Sequence, residues 1–412
     1  MRTAKSMHVL FALGTRPEVI KLAPVCQALR RRPWASADVF WTGQHLELAA
    51  GLLDFFEIPV AFSATSVMQQ MGLGSKLGEM ARQLEHALLR QQYDWLVVQG
   101  DTTTAAAAAI AGFLCRVPVA HLEAGLRTGD LQSPWPEEFN RRVITLATTL
   151  HFAPTARAAF NLRKENIPEA SIKEVGNTVI DALLYTRDRL ASNYRPIEPA
   201  LATLPVDKKL VLATTHRREN IGEPMRNVLR ALRTLGEDGD KLVVVPMHLN
   251  PNVREQVVEI LGNAPNVRLL PPLQYPDFVL LLSRAWCVVT DSGGVQEEAP
   301  TFGLQILITR DSTERPEVVE AGFGQLVSSN YSAIVEGVRR LTSSDERQLL
   351  AKPNPFGLGD AGERVAEALG VEKRFSWRPA SDQAASRRAD AVHSRSAVPP
   401  NMCSSVNWGA HS

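Results

Sequence analysis

Two doubly wound α/β domains in tandem are the architecture this sequence predicts. Short apolar runs alternate with longer amphipathic stretches, the rhythm of buried parallel strands and their covering helices. At 412 residues the chain exceeds what one hydrophobic core absorbs. The apolar runs also end in polar turns, as the ligand-facing ends of open α/β sheets do.

In chain order, the strand-like runs of the first half are HVLFAL (8–13), DVFWTG (38–43), WLVVQG (95–100), VPVAHLEAG (117–125) and LHFAP (150–154). Between them, PEVIKLAPVCQALRRR and LGEMARQLEHALLRQQ carry helical spacing. The halves divide near Gly176-Asn177, where the helix-like TVIDALLYTRDRL leads into the Pro-containing segment NYRPIEPALATLP, read as the hinge. The second half repeats the rhythm with LVLATTH (210–216), LVVVPMH (242–248), VRLLPPL (267–273), CVVTDSGG (287–294) and QILITRD (305–311). Residues 1–176 and 177–372 are thus expected to form the two domains. From Lys373 onward Ser, Ala, Arg and Pro replace the large aliphatics, and 373–412 reads as a basic, disordered tail.

Composition narrows the function. Hydrophobic residues at 45% and charged residues at 22% describe an ordinary globular protein, and a formal net charge of +1 gives no field for nucleic acid or a membrane surface. Cys26, Cys115, Cys287 and Cys403 are too scattered for a zinc cage or disulfide framework. The first apolar run stops at Gly14, too soon for a signal peptide or a membrane span, so the cytoplasm is expected.

The turns after the strands carry more polar chemistry than capping needs. Asp101 and Glu123 end consecutive predicted strands, so their carboxylates should converge at one mouth. Glu137 and Glu138 follow in Ser133-Pro134-Trp135-Pro136, whose prolines hold off a helix until Glu137. Converging acids of this kind suit acid–base work. Ser292-Gly293-Gly294 opens a helix-like stretch. Its glycines let backbone N–H groups approach an anion, and the helix start carries partial positive charge, which suits a phosphate. Glu298 lies further along and can accept ribose hydroxyls, and Arg315 can pair with phosphate oxygens. The chain has no GxxxxGK[ST], GxGxxG or HExxH, which argues against a P-loop kinase, tightly bound NAD and a zinc protease. His216 and His248 sit on separate strands with no local ligand partner, so no metal is indicated.

At these motifs the sequence resembles the non-hydrolysing UDP-N-acetylglucosamine 2-epimerases. The matching stretches are GTRPEVIKLAP (14–24), TGQH (42–45), QGDTTT (99–104), HLEAGLRTGD (121–130), PEEFNRR (136–142), VGNTVIDAL (175–183), THRREN (215–220), MHLNPNVRE (247–255), TDSGGVQEEAP (290–300) and RDSTERPE (310–317). The resemblance implies two Rossmann-like domains facing across a cleft, the glycosyltransferase-B architecture, with the nucleotide mainly on the second domain and the last helix crossing back to the first. It implies a homodimer that uses neither NAD nor metal. By match, Arg16, Lys21, Asp101, Glu123, Glu137, His216, Phe278, Ser292, Gly293, Gly294, Glu298 and Arg315 would line the active site. Gln44, His45, Arg217 and His248 match positions associated with a second, activating UDP-GlcNAc. Gly72-Leu73-Gly74 and Gly303-Leu304-Gln305 depart from the family pattern.

The implied reaction inverts C2 of UDP-GlcNAc by eliminating UDP to 2-acetamidoglucal and adding it back. It needs cations on the leaving diphosphate and two acid–base groups, drawn from Asp101, Glu123 and Glu137, on opposite faces of the ring. Which acid serves which face stays open at this point. Other readings of the same motifs are a glycosyltransferase that uses a UDP-sugar, a hydrolysing epimerase, a nucleotide-sugar binding protein, and a 2-epimerase for another UDP-2-acetamido sugar.

Overall fold

The structure is a computed structural model of the 412-residue chain. It describes residues 6–42, 46–64, 71–192, 194–215, 221–342 and 348–372. The expected tail, 373–412, therefore lies outside the described residues.

The first sheet is built from β1 (Met7–Leu13), α1 (Arg16–Arg30), β2 (Ala35–Trp41), α2 (Leu46–Phe55), β3 (Phe62–Ser63), α3 (Leu73–Arg90), β4 (Trp95–Gln99), α4 (Thr103–Leu114), β5 (Val119–Leu122), α5 (Glu137–Ala147), β6 (Leu150–Ala153), α6 (Ala156–Lys164) and β7 (Ile172–Glu174). Its seven strands run in the order β3-β2-β1-β4-β5-β6-β7. After α7 (Thr178–Leu190), the second sheet uses β8 (Lys209–Thr214), α8 (Glu223–Glu237), β9 (Lys241–Pro246), α9 (Pro251–Leu261), β10 (Val267–Leu270), α10 (Tyr275–Ser283), β11 (Cys287–Thr290), α11 (Gly293–Glu298), β12 (Gln305–Ile308), α12 (Pro316–Glu320) and β13 (Gly324–Leu326). Six strands take the order β10-β9-β8-β11-β12-β13. The strand pairings in both sheets are parallel, for example β1 with β4 and β8 with β11. These are two doubly wound sheets, as the sequence predicts. In each, strand order reverses beside the first strand, between β1 and β4 and between β8 and β11, where such sheets bind ligands.

Burial on both faces explains why these runs are apolar without alternation. Along β1, Val9, Phe11 and Leu13 enter one cluster while Leu10 and Ala12 enter another. The first of those clusters continues through α1 and α7 to Leu210, Leu212 and Ile306, so one apolar layer joins the inner faces of both sheets. In α4 the alanines let the helix lie close: Ala105, Ala106, Ala108 and Ala109 are buried, and a Cβ at Gly112 would sit 2.8 Å from Leu96 and Val119.

The connections are tied down by side chains. Asn177 caps α7, its side chain accepting from the Val179 N–H. The following segment is held by buried Asp277 of α10, which accepts from the Tyr194 hydroxyl at 2.7 Å and from the Ile197 and Glu198 N–H groups. A final helix, Ala361–Glu372, packs on the first sheet's layer. Glu363 pairs with Arg31 and Arg32, and a Cβ at Gly362 would meet Pro24 of α1 at 2.9 Å.

Candidate active site

The loops after β1 and β4 are joined through one buried acid. Glu18, in the first turn of α1, accepts from the Gly14 and Thr15 N–H groups, from the Thr15 hydroxyl and, at 2.5 Å, from the Thr102 hydroxyl. Burial pushes this carboxyl up, against the hydrogen bonds that favour its ionised form. Gly100 adopts φ +69°, and a Cβ there would lie 3.6 Å from the Glu123 carboxylate. The next residue, Asp101, is ion-paired to Arg141 of α5 at 2.7 Å, and its carbonyl accepts from the Asn140 amide at 2.8 Å. Arg141 also meets buried Glu138, which in turn accepts from the Thr128 and Gly129 N–H groups. The expected start of the helix at Glu137 is observed, and the buried Glu137 Oε2 has no hydrogen-bond partner among the described residues. Asp101, Glu123 and Glu137 are thus linked through Gly100 and the first turns of α5.

Glu123 is the most constrained of these acids. It follows β5 with φ +62°, a left-handed conformation that costs a non-glycine residue about 1 kcal/mol or more. Its carboxylate accepts from Lys21 Nζ at 2.7 Å and from the Gln99 amide, and Arg315 lies 3.9 Å away. Lys21 comes from α1, whereas Arg315 precedes α12 on the second sheet. Glu297 of α11 closes the cluster, accepting from Lys21 at 3.0 Å and from Arg315 Nε at 2.8 Å, while Arg315 also pairs with Glu314. Burial pushes the Glu123 carboxyl up. The same burial acts on Glu297, but Lys21 and Arg315 hold it below the usual range. Buried ion clusters are poor stabilisers, and perturbed acids in a cleft point to function.

On the second sheet, β11 leads into Asp291-Ser292-Gly293-Gly294. The Ser292 N–H donates to Thr290 Oγ1, and Thr215 at the end of β8 donates to Asp291 at 3.2 Å. Gly293 leaves room for the guanidinium: a Cβ would approach Arg315 NH1 to 2.6 Å and displace it. A Cβ at Gly294 would meet open space. Further along α11, Glu298 accepts from the Tyr275 hydroxyl at 2.8 Å, and burial pushes its carboxyl up to about 7. Arg16 carries a charge toward Glu298 and donates to the Leu273 carbonyl at 3.1 Å. Phe278 is half-buried on α10.

Gln44, His45, His216 and Arg217 lie outside the described residues. His248 sits after β9, its Nδ1 accepting from the Asn250 N–H at 3.1 Å. Among the described residues named from the sequence, Lys21, Glu123, Arg315 and Gly293 come into contact, with Arg16 and Glu298 as a neighbouring pair. Sequence reasoning gave no role to Glu297, Gln99 and Tyr275, which hold those residues, or to Arg141, which holds Asp101. A glutamate doublet at 297–298 was visible, but which member faces the cations depends on the pitch of a short helix.

Known proteins bear on this geometry. A family profile described as UDP-N-acetylglucosamine 2-epimerase matches residues 27–370. The UDP-N-acetylglucosamine 2-epimerase of Escherichia coli K12 is 43% identical over 376 residues, covering 88% of this chain and 98% of that protein. The crystal structure of the Neisseria meningitidis UDP-GlcNAc 2-epimerase bound to UDP-GlcNAc superposes with a TM-score of 0.83 at 38% identity, covering 89% of this chain and 100% of that one. The Methanocaldococcus jannaschii UDP-GlcNAc 2-epimerase in complex with UDP-GlcNAc and UDP gives 0.75 at 32% identity, over 89% and 100%. With its paired doubly wound sheets and its acids and cations gathered at their carboxyl ends, the chain belongs to the UDP-N-acetylglucosamine 2-epimerase family.

Proposed function

We propose that the protein interconverts UDP-GlcNAc and UDP-ManNAc by eliminating UDP to 2-acetamidoglucal, then re-adding UDP at C1 as a proton is delivered to the opposite face of C2. The observation that carries this reading is Glu123, a buried carboxylate in strained backbone, set against Lys21 and Arg315 from opposite sheets. The C2 proton of the sugar is not adjacent to a carbonyl, so direct removal is prohibitive near neutral pH. Cleavage of C1–O lets UDP leave with the electron pair, and the positive charge that develops at C1 acidifies C2–H. In this reading Asp101, Glu123 and Glu137 supply the groups that take that proton from one face and deliver another to the opposite face. Arg16, His216 and Arg315 face the leaving diphosphate, with the Ser292-Gly293-Gly294 turn beside it, and Lys21 belongs to the substrate-binding residues. Glu298 takes the ribose hydroxyls and Phe278 the base. Gln44, His45, Arg217 and His248 belong to a second UDP-GlcNAc site. The reading uses neither NAD nor metal.

The same reading divides the chain into 1–176 and 177–372, with 373–412 apart. The first sheet, Met7–Glu174, and the second, Lys209–Leu326, fall on either side of that boundary. Scattered cysteines and a UDP-sugar substrate support a cytoplasmic enzyme. None of the described helices is long and apolar enough to cross a membrane. We also infer a homodimer, supported by exposed Leu89, Phe113, Leu114 and Leu146 at the ends of the adjoining helices α3, α4 and α5. Light scattering should give twice the chain mass; a monomer at micromolar concentration would remove the dimer from this reading.

Deuterium uptake tests the reaction. Starting from protiated UDP-GlcNAc in D2O, product UDP-ManNAc should carry deuterium at C2, and recovered UDP-GlcNAc should acquire it as the reaction reverses. Epimerisation with C2 unlabelled would sink the elimination route. Free sugar plus UDP would instead select hydrolysis, and an unchanged substrate a transferase or a binding protein.

A further inference from the structure

Glu297 has no assigned part in this chemistry, yet it hydrogen-bonds both Lys21 and Arg315. It comes from α11 on the second sheet, is almost wholly buried, and accepts from Lys21 Nζ at 3.0 Å and from Arg315 Nε at 2.8 Å. Lys21 comes from α1 on the first sheet and donates to Glu123 at 2.7 Å. A single ammonium is therefore shared between two carboxylates from opposite sheets. The backbone at Glu297 is itself pinned, its carbonyl accepting from the Asn354 amide at 2.9 Å.

We propose that Glu297 is a positioning residue that acts on Glu123 through Lys21: by drawing on the shared ammonium from the second sheet, it keeps the Glu123 carboxyl able both to take a proton and to give one back. This deepens the assignment of Glu123 as an acid–base group and rests on it. Were Lys21 paired with Glu123 alone, the buried ion pair would hold Glu123 as a fixed carboxylate, a poor proton donor in the return step. Charge from every side of Glu123 enters this balance. Lys21 faces it from α1, Arg315 from the loop before α12 and Glu297 from α11, while the Gln99 amide from β4 is neutral. Glu314 acts one step removed, through Arg315, and Asp101 in the neighbouring loop is taken up by Arg141. Among these, removing the Glu297 charge acts on Glu123 twice in the same direction. It deletes a like charge, and it releases Lys21 to Glu123.

The test is an infrared titration of the free protein at the carboxylic C=O stretch, with the Glu123 band identified as the one missing in Glu123→Gln. In Glu297→Gln its midpoint should fall by about one pH unit. In Glu297→Asp, which withdraws the carboxylate from Lys21 but keeps its charge, the fall should be smaller and of the same sign. The acid limb of kcat/KM, which reports the free enzyme, should move with it. A purely structural Glu297 would alter melting temperature and kcat without moving that midpoint. An unmoved midpoint in folded Glu297→Gln overturns the inference; should that variant fail to fold, an unmoved midpoint in Glu297→Asp does so. The titration needs no substrate, so a shifted midpoint in a protein that fails to epimerise would uphold the coupling and refute the reaction assigned above.

Discussion

Glu123→Gln should lower kcat for epimerisation by about 100- to 10,000-fold, the range over which positioned proton transfer contributes to catalysis. The amide keeps the volume of the carboxylate and can still accept from Lys21 through its oxygen, so the packing around it should survive. It cannot take a proton from C2. Deuterium uptake at C2 should therefore slow in step with turnover, because both need the same abstraction. UDP binding should hold or tighten, since losing one carboxylate leaves Lys21 and Arg315 with less local negative charge to balance. That pairing of results separates a proton-transfer group from a binding group. Turnover within about tenfold of the parent protein would show that Glu123 serves the cations and not the sugar.

The fold was legible because its signal is repeated. β1, β2, β4, β8, β9, β11 and β12 each carry three or more consecutive apolar residues, the pattern that parallel sheets covered on both faces demand. What escaped were β3, β7 and β13 at the sheet edges, of two or three residues each, too short to carry a period. The acids were legible in part for the same reason. A residue just past a buried parallel strand must lie at the carboxyl edge, so Asp101 and Glu123 had to be neighbours once β4 and β5 paired. Their partners followed no such rule. Arg141 reaches Asp101 from the second turn of α5, and Glu297 reaches Lys21 across 276 residues of sequence. Whether Glu297 or Glu298 meets the cations is set by the pitch of α11. Glu297 turns to Lys21 and Arg315, and Glu298 turns to Tyr275 and Arg16. The left-handed backbone at Glu123 has no sequence signal, because glutamate is not a residue that favours it.

Glu18→Ala should destabilise the protein by about 3–4 kcal/mol and abolish most activity, although in this reading Glu18 touches no substrate. Its carboxylate is fully buried and accepts from two backbone N–H groups and two hydroxyls. Alanine leaves those donors facing a void, and each unsatisfied buried donor costs about 1–3 kcal/mol, partly recovered if water enters. The loss also unties Thr15 at the start of α1 from Thr102 at the start of α4. Arg16 and Lys21 follow the first of these joints, and Asp101 immediately precedes the second. A shift of several tenths of an ångström at that joint would thus reach cations and acid together. The melting temperature should drop by roughly 4–5 °C. Glu18→Gln separates the two effects. The amide fills the space and can accept at Oε1 from the two N–H groups, but its NH2 must then donate to the Thr102 hydroxyl, which reverses that hydrogen bond and removes the carboxylate's charge. It should recover part of the melting temperature and little of kcat. Full activity in Glu18→Gln would mean that shape alone, and not the charge-assisted network, fixes the loops after β1 and β4.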